Sequence, residues 1–236
     1  KNNHFGAEIE NTSSKIYSVA VQGPAALKTL QKLTGYDLSS LPPFHFTTTQ
    51  VADAKDVIVS TTGYTGSGGF ELYFYNSDAE NLWESLLSAG KEFGIAPIGL
   101  AARDTLRLEA AYCLYGNDID ESTSPIEAGL GWITKFTDEK NFIDKDFLYQ
   151  QKVNGTTRRL VGFEMIDRGI PRQHYEIQNT KGEKIGEVTS GTMSPFTKKG
   201  IGMGYVETEY SNPGTDIIIS IRNKPLLSRV VKTPFF

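Results

Sequence analysis

The sequence predicts an α+β domain followed by a small antiparallel β domain, and three observations support this. Its 236 residues, 39% hydrophobic and 22% charged, suffice for one large or two modest domains with hydrophobic cores. The first part alternates strand and helix patterns. From Arg159 onward, short apolar runs are separated by glycine, proline and asparagine, which is typical of a small antiparallel barrel or sandwich. We place the boundary near Gly155, giving domains 1–155 and 156–236.

The first domain opens with a strand and a helix. Residues 15–23 are rich in β-branched and aromatic side chains, which favour a strand. Pro24 suits the first turn of a helix and Gly35 can end it, while leucines three residues apart give that helix one apolar face. The runs TTTQVA and DVIVSTT then predict a hairpin with its turn at 53–55.

A glycine-rich turn follows the hairpin. Four glycines occupy the seven positions 63–69, and they lead into a strand, 70–75, in which Phe and Leu alternate with Glu and Tyr. Ser77 with Glu80 three residues later matches a capping box, which predicts the start of a helix that ends at Gly90.

The rest of the first domain combines helices with one long loop. Residues 100–111, rich in Ala, Leu and Arg, predict a helix. Residues 115–132 have turn-forming residues at nearly every position, which indicates a long ordered loop at a functional surface. A short helix is predicted over 142–152, and 153–159 form a small, polar linker. The strands of the second domain are expected in RRLVGFEMI, HYEIQN, KIGEVTSG, GIGMGYVE, DIIISIRN and PLLSRVVKT.

Composition excludes several classes of protein. Cys113 is the single cysteine, so neither an intrachain disulfide nor a multi-cysteine metal site is possible. A net charge of −4 and a pI of about 5.5 argue against nucleic acid or an anionic membrane as the main partner. No run approaches the roughly 20 apolar residues that span a bilayer, and the opening KNNHFGAEIE has no signal or transit pattern. We therefore expect a soluble protein of a reducing compartment.

Common catalytic motifs are also missing. His4, His45 and His174 lie far apart without metal-ligand spacing, so we expect no metal site. The Gly-x-Ser-x-Gly pattern of a serine hydrolase is absent. The turn GSGG matches neither the dinucleotide-binding Gly-x-Gly-x-x-Gly pattern nor a P-loop.

Four segments carry a family resemblance. GYTGSGGFELYF, GLAARDTLRLEAAYCLYGNDIDESTSPIEAGLGW, SGTMSPFTKKGIGMGYV and VQGPAALKTLQKL closely resemble the glycine cleavage system T-protein family. The resemblance covers nearly the whole chain, and its motifs are long and correctly spaced. It implies an α+β fold in which a folate-binding aminomethyltransferase α/β domain is followed by a small antiparallel β-barrel domain.

The resemblance also implies an activity. This family of aminomethyltransferases transfers the one-carbon unit from an aminomethyl group on the lipoyl arm of the H protein to tetrahydrofolate. The products are 5,10-methylenetetrahydrofolate and ammonia. Because the folate nitrogen attacks, such an enzyme mainly orients two substrates and stabilises developing charge. The implied co-substrate is tetrahydrofolate, the implied partner is the lipoylated H protein, and the implied location is cytoplasmic, with no metal, nucleic acid or membrane involved.

Three residues are the candidates for folate binding. A pterin presents an N–H and an amino group side by side, which the Glu71 carboxylate can accept together; a solvated strand carboxylate is the alternative. Tyr64 can lay its ring against the pterin or simply pack within the turn, whose glycines allow close backbone approach. The resemblance places a folate-contacting arginine at Arg103 and leaves Arg107 structural, although both can belong to a salt-bridged helix.

Two further segments have two interpretations each. The loop 115–120 matches the family pattern near the substrate channel, and its acidic residues either contact substrate or brace the loop. Lys198 and Lys199 are either a solvated hairpin tip or a contact for an acidic partner surface.

The resemblance leaves the catalytic residue unassigned. The family has a key aspartate in an N-terminal region ahead of the strand that here begins near Lys15, and nothing in 1–14 matches its motif. We therefore expect the chain to correspond to the C-terminal two-thirds of a T protein, with little activity and at best weak folate affinity by itself.

Two alternative functions stay open. Folate-dependent demethylase domains, including those of dimethylglycine and sarcosine oxidising enzymes, share this architecture, although LCLYGNDIDE fits the T protein better. The Lys-Gly-Cys-Tyr-x-Gly-Gln motif of a relative in iron–sulfur assembly is absent. The chain could also be a binding module that docks a lipoylated partner without chemistry.

Overall fold

The chain divides into two compact units. A computed structural model describes residue 6 and residues 8–236, so His4 lies outside the described residues. By packing, the first unit is Lys1–Gly99 and the second is Leu100–Phe236. The domain boundary near Gly155 stays a prediction from the sequence.

The first unit is an antiparallel sheet with two helices on one of its faces. The strands lie in the order β1-β4-β3-β2, so the chain's fourth strand pairs with both its first and its third. The elements are β1 (Ile16–Gln22), α1 (Ala26–Gln31), β2 (Phe46–Val51), β3 (Ala54–Ser60), β4 (Gly69–Tyr75) and α2 (Ala79–Gly90).

Strand alternation decides which face of this sheet is buried. In β4, Phe70, Leu72 and Phe74 are buried, while Glu71 and Tyr73 point to the opposite, open face. The buried side packs against leucines of α1 and α2, and this forms the core of the unit. The predicted alternation in 70–75 is therefore confirmed, and it places Glu71 on the open face.

Three local predictions in the first unit are wrong in detail. Val51 pairs directly with Ala54, so the hairpin turn is a residue or two earlier than the predicted 53–55. α1 ends before Gly35 because the amide of Leu33 bonds back only three residues and closes a tighter turn. The capping box at Ser77 does not form: α2 starts at Ala79, and its N-cap side chain makes no capping bond.

The second unit begins with a helix and a long loop and continues as a closed barrel. The barrel strands are antiparallel and close in the order β10-β5-β8-β7-β6-β9. Of the two predicted alternatives, a barrel and a sandwich, the barrel is therefore confirmed. The elements are α3 (Leu100–Glu109), α4 (Lys145–Asn154), β5 (Arg158–Met165), β6 (Glu176–Gln178), β7 (Lys184–Met193), β8 (Gly200–Glu207), β9 (Asp216–Ile221) and β10 (Lys224–Val231).

An aromatic ring fills part of the barrel interior. Phe163 of β5 is fully buried and pairs in register with Gly202 of β8. A Cβ at Gly202 would lie 2.5 Å from the tip of the Phe163 ring, so only glycine leaves room for it. The other buried residues of the barrel core are valines, isoleucines and Met165, and the partly buried Tyr175 and Tyr210 pack against them.

The helix α3 packs on the outside of this barrel. Leu108 is fully buried in a cluster with Ile201, Met203 and Phe235. Arg107 of α3 is also fully buried, and its guanidinium contacts Ser190 of β7. No described helix is long and apolar enough to cross a membrane.

Candidate functional site

The Glu71 carboxylate is held in place on the open face of the first unit's sheet. Its strand neighbours are Ala20 on β1 and Ser60 on β3. The hydroxyl of Thr62, just beyond the end of β3, donates a hydrogen bond to Oε2 of Glu71. The hydroxyl oxygens of Thr62 and Ser60 are 3.0 Å apart. Because a hydroxyl has one proton, Thr62 cannot donate to Ser60 and to the carboxylate at the same time.

This arrangement leaves Glu71 able to bind donors from a ligand. An ionised carboxylate offers about four acceptor positions, and Thr62 accounts for one of them. Tyr73, two residues further along the same face, has its pKa raised by burial and by the negative charge of Glu71. The phenol of Tyr73 therefore stays protonated at neutral pH, so the open face combines an anionic acceptor with a neutral aromatic donor.

The turn that carries Tyr64 is built around Gln22. The side chain amide of Gln22 donates to the carbonyl oxygens of Thr62 (3.2 Å) and Phe70 (3.1 Å), and its oxygen accepts from the hydroxyl of Thr65 (3.2 Å). Neither Thr62 nor Gln22 stands out in the sequence. Both are identified by hydrogen bonds in the folded structure: Gln22 bonds to residues 40 to 48 positions away, and Thr62 bonds to Glu71, nine positions away.

The three residues that are predicted to bind folate do not all belong to the same unit. Tyr64 is half-buried in the turn 63–69, and Glu71 is half-buried on β4 two residues after that turn. Arg103 lies on α3 in the second unit, where it is exposed. Their shared role in binding a ligand stays a prediction.

Arg107, by contrast, is enclosed by protein. Its side chain is 0% exposed and forms an ion pair with Asp118, which is also 0% exposed. It also donates to Asp104 (2.7 Å), to the carbonyl of Tyr112 (3.0 Å) and to the hydroxyl of Ser190 on β7 (2.8 Å). The interpretation of Arg107 as a structural residue agrees with these contacts.

The acidic loop residues have internal partners. Asp118 accepts from the hydroxyls of Thr189 (2.5 Å) and Ser190 (2.7 Å) in addition to Arg107. Asp120 accepts from the amide and hydroxyl of Ser122, which are the main cause of its lowered pKa. Of the two interpretations of the loop, bracing is the one that these contacts favour.

A second carboxylate ties the loop to the barrel. Glu127 accepts two hydrogen bonds of 3.1 Å from Arg158 at the start of β5. Glu127 and Ser124 also form a reciprocal capping box, with bonds of 2.9 and 3.1 Å between each side chain and the other's amide. The Arg158 guanidinium in turn lies 4.6 Å from the centre of the Tyr205 ring.

The remaining predicted groups are distributed over the surface. Lys199 pairs with Glu164 at 2.7 Å, whereas Lys198 is exposed with φ of 60° at the hairpin tip. Among residue 6 and residues 8–236, no group of three or more His, Cys, Asp or Glu side chains has the arrangement of a metal site.

The fold defines a class: an α+β unit followed in the chain by a closed antiparallel barrel. The family model of the GCVT N-terminal domain matches residues 1–138. The model of the glycine cleavage T-protein C-terminal barrel domain matches residues 158–236. The chain therefore belongs to the glycine cleavage T-protein family.

Curated relatives and a solved structure agree with this assignment. The chain is 60% identical over 233 residues to the aminomethyltransferase of Bacteroides thetaiotaomicron and 56% identical over 234 residues to that of Porphyromonas gingivalis. Each match covers 99% of this chain, which spans 64% and 65% of the two relatives. The crystal structure of glycine cleavage system aminomethyltransferase T from Bartonella henselae superposes with a TM-score of 0.85 at 32% identity, covering 94% of this chain and 60% of that one.

Proposed function

We propose that this chain provides the tetrahydrofolate-binding part of an aminomethyltransferase of the glycine cleavage system. The reaction transfers a one-carbon unit from the aminomethyl group on a lipoylated H protein to tetrahydrofolate, giving 5,10-methylenetetrahydrofolate and ammonia. The observation that carries the proposal is the 60% identity, over 99% of the chain, to a relative named aminomethyltransferase. The proposed location is cytoplasmic.

Glu71 supports the proposal through its hydrogen bonding. The pterin ring of a folate carries an N–H beside an amino group, and a carboxylate binds such a donor pair with two charge-assisted hydrogen bonds. Thr62 fixes the position of one oxygen of Glu71 before any ligand arrives. A carboxylate that is already held loses less side-chain freedom on binding, so it binds more tightly than a mobile one.

Tyr64 and Arg103 complete the proposed set. The Tyr64 ring offers a flat apolar surface for stacking on a planar ligand. Arg103 contributes a permanent positive charge, which suits the carboxylate tail or a carbonyl edge of a folate. Neither residue needs to form a covalent bond, since the nitrogen of tetrahydrofolate is itself the nucleophile.

Binding of a reduced folate tests this assignment directly. The chain, labelled with 15N, is titrated with 5-formyltetrahydrofolate, which is stable during the measurement, and binding is followed by chemical-shift changes in 63–75. Glu71→Gln keeps the size of the side chain but removes its charge, so we expect affinity to fall about tenfold or more, as for loss of a charge-assisted hydrogen bond. Glu84→Gln, an exposed change on α2, is the matched control and should leave affinity unchanged.

Two results would contradict the proposal. The first is the absence of shift changes in 63–75 at millimolar folate, and the second is equal loss of affinity in the Glu71 and Glu84 variants. The reaction itself is measured separately, as formation of methylenetetrahydrofolate with and without aminomethylated H protein. The same assay tests the expectation that this chain alone has little activity.

A further inference from the structure

Gln22 occupies the junction between β1 and the glycine-rich turn 63–69. It is the last residue of β1, and its half-buried side chain points to the open face of the sheet. Its amide nitrogen donates to Thr62 O and Phe70 O, and its oxygen accepts from Thr65. If the side-chain oxygen and nitrogen of Gln22 exchanged places, the oxygen would face the two carbonyl oxygens with no proton between them. The contacts therefore permit only the orientation described.

The glycines of the turn fit around this side chain. A Cβ at Gly63 would lie 1.9 Å from Oε1 of Gln22. A Cβ at Gly69 would lie 2.4 Å from the carbonyl oxygen of Val21 and 2.9 Å from Nε2 of Gln22, and Gly69 also has a φ of 140°. These two glycines therefore serve the close approach of the turn to Gln22, which gives the sequence pattern a structural reason.

Apart from the carbonyl of its chain neighbour Val21, at 3.4 Å, each partner of the Gln22 side chain is directly connected to a proposed ligand-binding group. Phe70 precedes Glu71 in β4, Thr65 follows Tyr64 in the turn, and Thr62 donates its hydroxyl to the Glu71 carboxylate. One carboxamide therefore fixes the strand that bears Glu71, the turn that bears Tyr64 and the threonine that orients Glu71.

We propose that Gln22 is a positioning residue of the folate site, setting the Tyr64 turn relative to the Glu71 carboxylate without touching the ligand itself. The proposal rests on the proposed function as far as the ligand is concerned. Its structural part, the ordering of the turn, is independent of any ligand.

The decisive variant is Gln22→Glu, which has the same shape and can still accept from Thr65 but cannot donate to Thr62 O or Phe70 O. We expect the backbone 15N order parameters of 63–69 to fall from about 0.85, typical of rigid backbone, toward about 0.6. Because small displacements of binding groups are costly, affinity for 5-formyltetrahydrofolate should fall about 10- to 100-fold. Gln50→Glu is the matched control: Gln50 is exposed on β2 of the same sheet, bonds to the carbonyl of Ala52, and should change neither quantity.

The outcomes separate the two parts of the inference. A mobile turn with unchanged affinity, or lost affinity with a rigid turn, overturns Gln22 as a positioning residue. If the unsubstituted chain does not bind the folate at all, the proposed function fails, and Gln22 is then judged by the order parameters alone. Should Gln22→Glu unfold the first unit, Thr65→Val replaces it. This removes the hydroxyl that donates to Oε1 of Gln22 at 3.2 Å and that also accepts from the Ser67 amide at 3.4 Å, and the same loss of order with lower affinity is expected.

Discussion

The ion pair between Arg107 and Asp118 should be a major determinant of stability in the second unit. Replacing Arg107 by Met keeps an unbranched chain of similar length but leaves the Asp118 carboxylate buried without its counter-charge. Both side chains are 0% exposed, so water cannot take the place of the guanidinium. The variant also loses the hydrogen bonds to the Ser190 hydroxyl and the Tyr112 carbonyl.

The expected magnitude follows from this burial. Removing one partner of a buried ion pair costs about 3 to 5 kcal/mol, because the remaining charge stays desolvated. For a unit of this size, about 3 °C of melting temperature per kcal/mol predicts a shift of roughly 9 to 15 °C. Adding Asp118→Asn to Arg107→Met removes the remaining charge while keeping an acceptor for Thr189 and Ser190. The double variant should therefore recover about 1 to 2 kcal/mol over the single variant.

Urea unfolding followed by circular dichroism measures these differences. Arg229→Met is the control, because Arg229 forms an exposed pair with Asp216 at 2.7 Å in the same unit and should lose far less stability. A loss below about 1 kcal/mol for Arg107→Met, or a double variant less stable than the single one, would refute the buried-charge argument.

Two further predictions concern pH and backbone geometry. Burial and the charge of Asp118 raise the pKa of the Cys113 thiol from 9.0 to about 11, so the stability it contributes should be complete below pH 9 and lost as pH rises through about 11. Unfolding at pH 8 to 11 should show this loss, Cys113→Ala should reduce it, and an equal alkaline loss in both proteins would exclude the thiol as its source. Gly69→Ala should destabilise the first unit more than Gly68→Ala, since a Cβ at Gly69 would lie 2.4 Å from Val21 O whereas Gly68 has nothing within 4 Å. Gly68→Ala still carries a positive-φ cost of about 1 kcal/mol, and equal melting temperatures for the two variants would contradict the steric argument.

Periodicity in the sequence determined which faces are buried. Alternation in 70–75 is enough to place Glu71 opposite the core, because successive side chains of a strand point to opposite faces. The short runs separated by glycine and proline identified the barrel strands, and β8 spans the same residues as the predicted run GIGMGYVE. The family resemblance also came from contiguous motifs. All of these signals are local in the chain.

The same short sequence pattern did not form the same hydrogen bonds at both of its positions. Ser-x-x-Glu occurs at Ser77 and at Ser124, yet the reciprocal capping bonds form only at the second position. At Ser77 the chain enters a short 3-10 turn over 76–78 before α2 begins, so the serine is no longer at the N-cap. At Ser124 the reciprocal bonds form in a turn and not at the start of a helix.

Tertiary structure alone determined how the site is supported. Gln22 meets partners 40 to 48 residues away, and Asp118 meets Thr189 and Ser190, 71 and 72 residues away. Such contacts depend on strand order and register, which a single sequence does not encode in any local pattern. The sequence therefore identified Glu71 as a candidate ligand-binding residue, whereas only the folded sheet showed that Thr62 donates a hydrogen bond to it and that Gln22 bonds to the turn beside it.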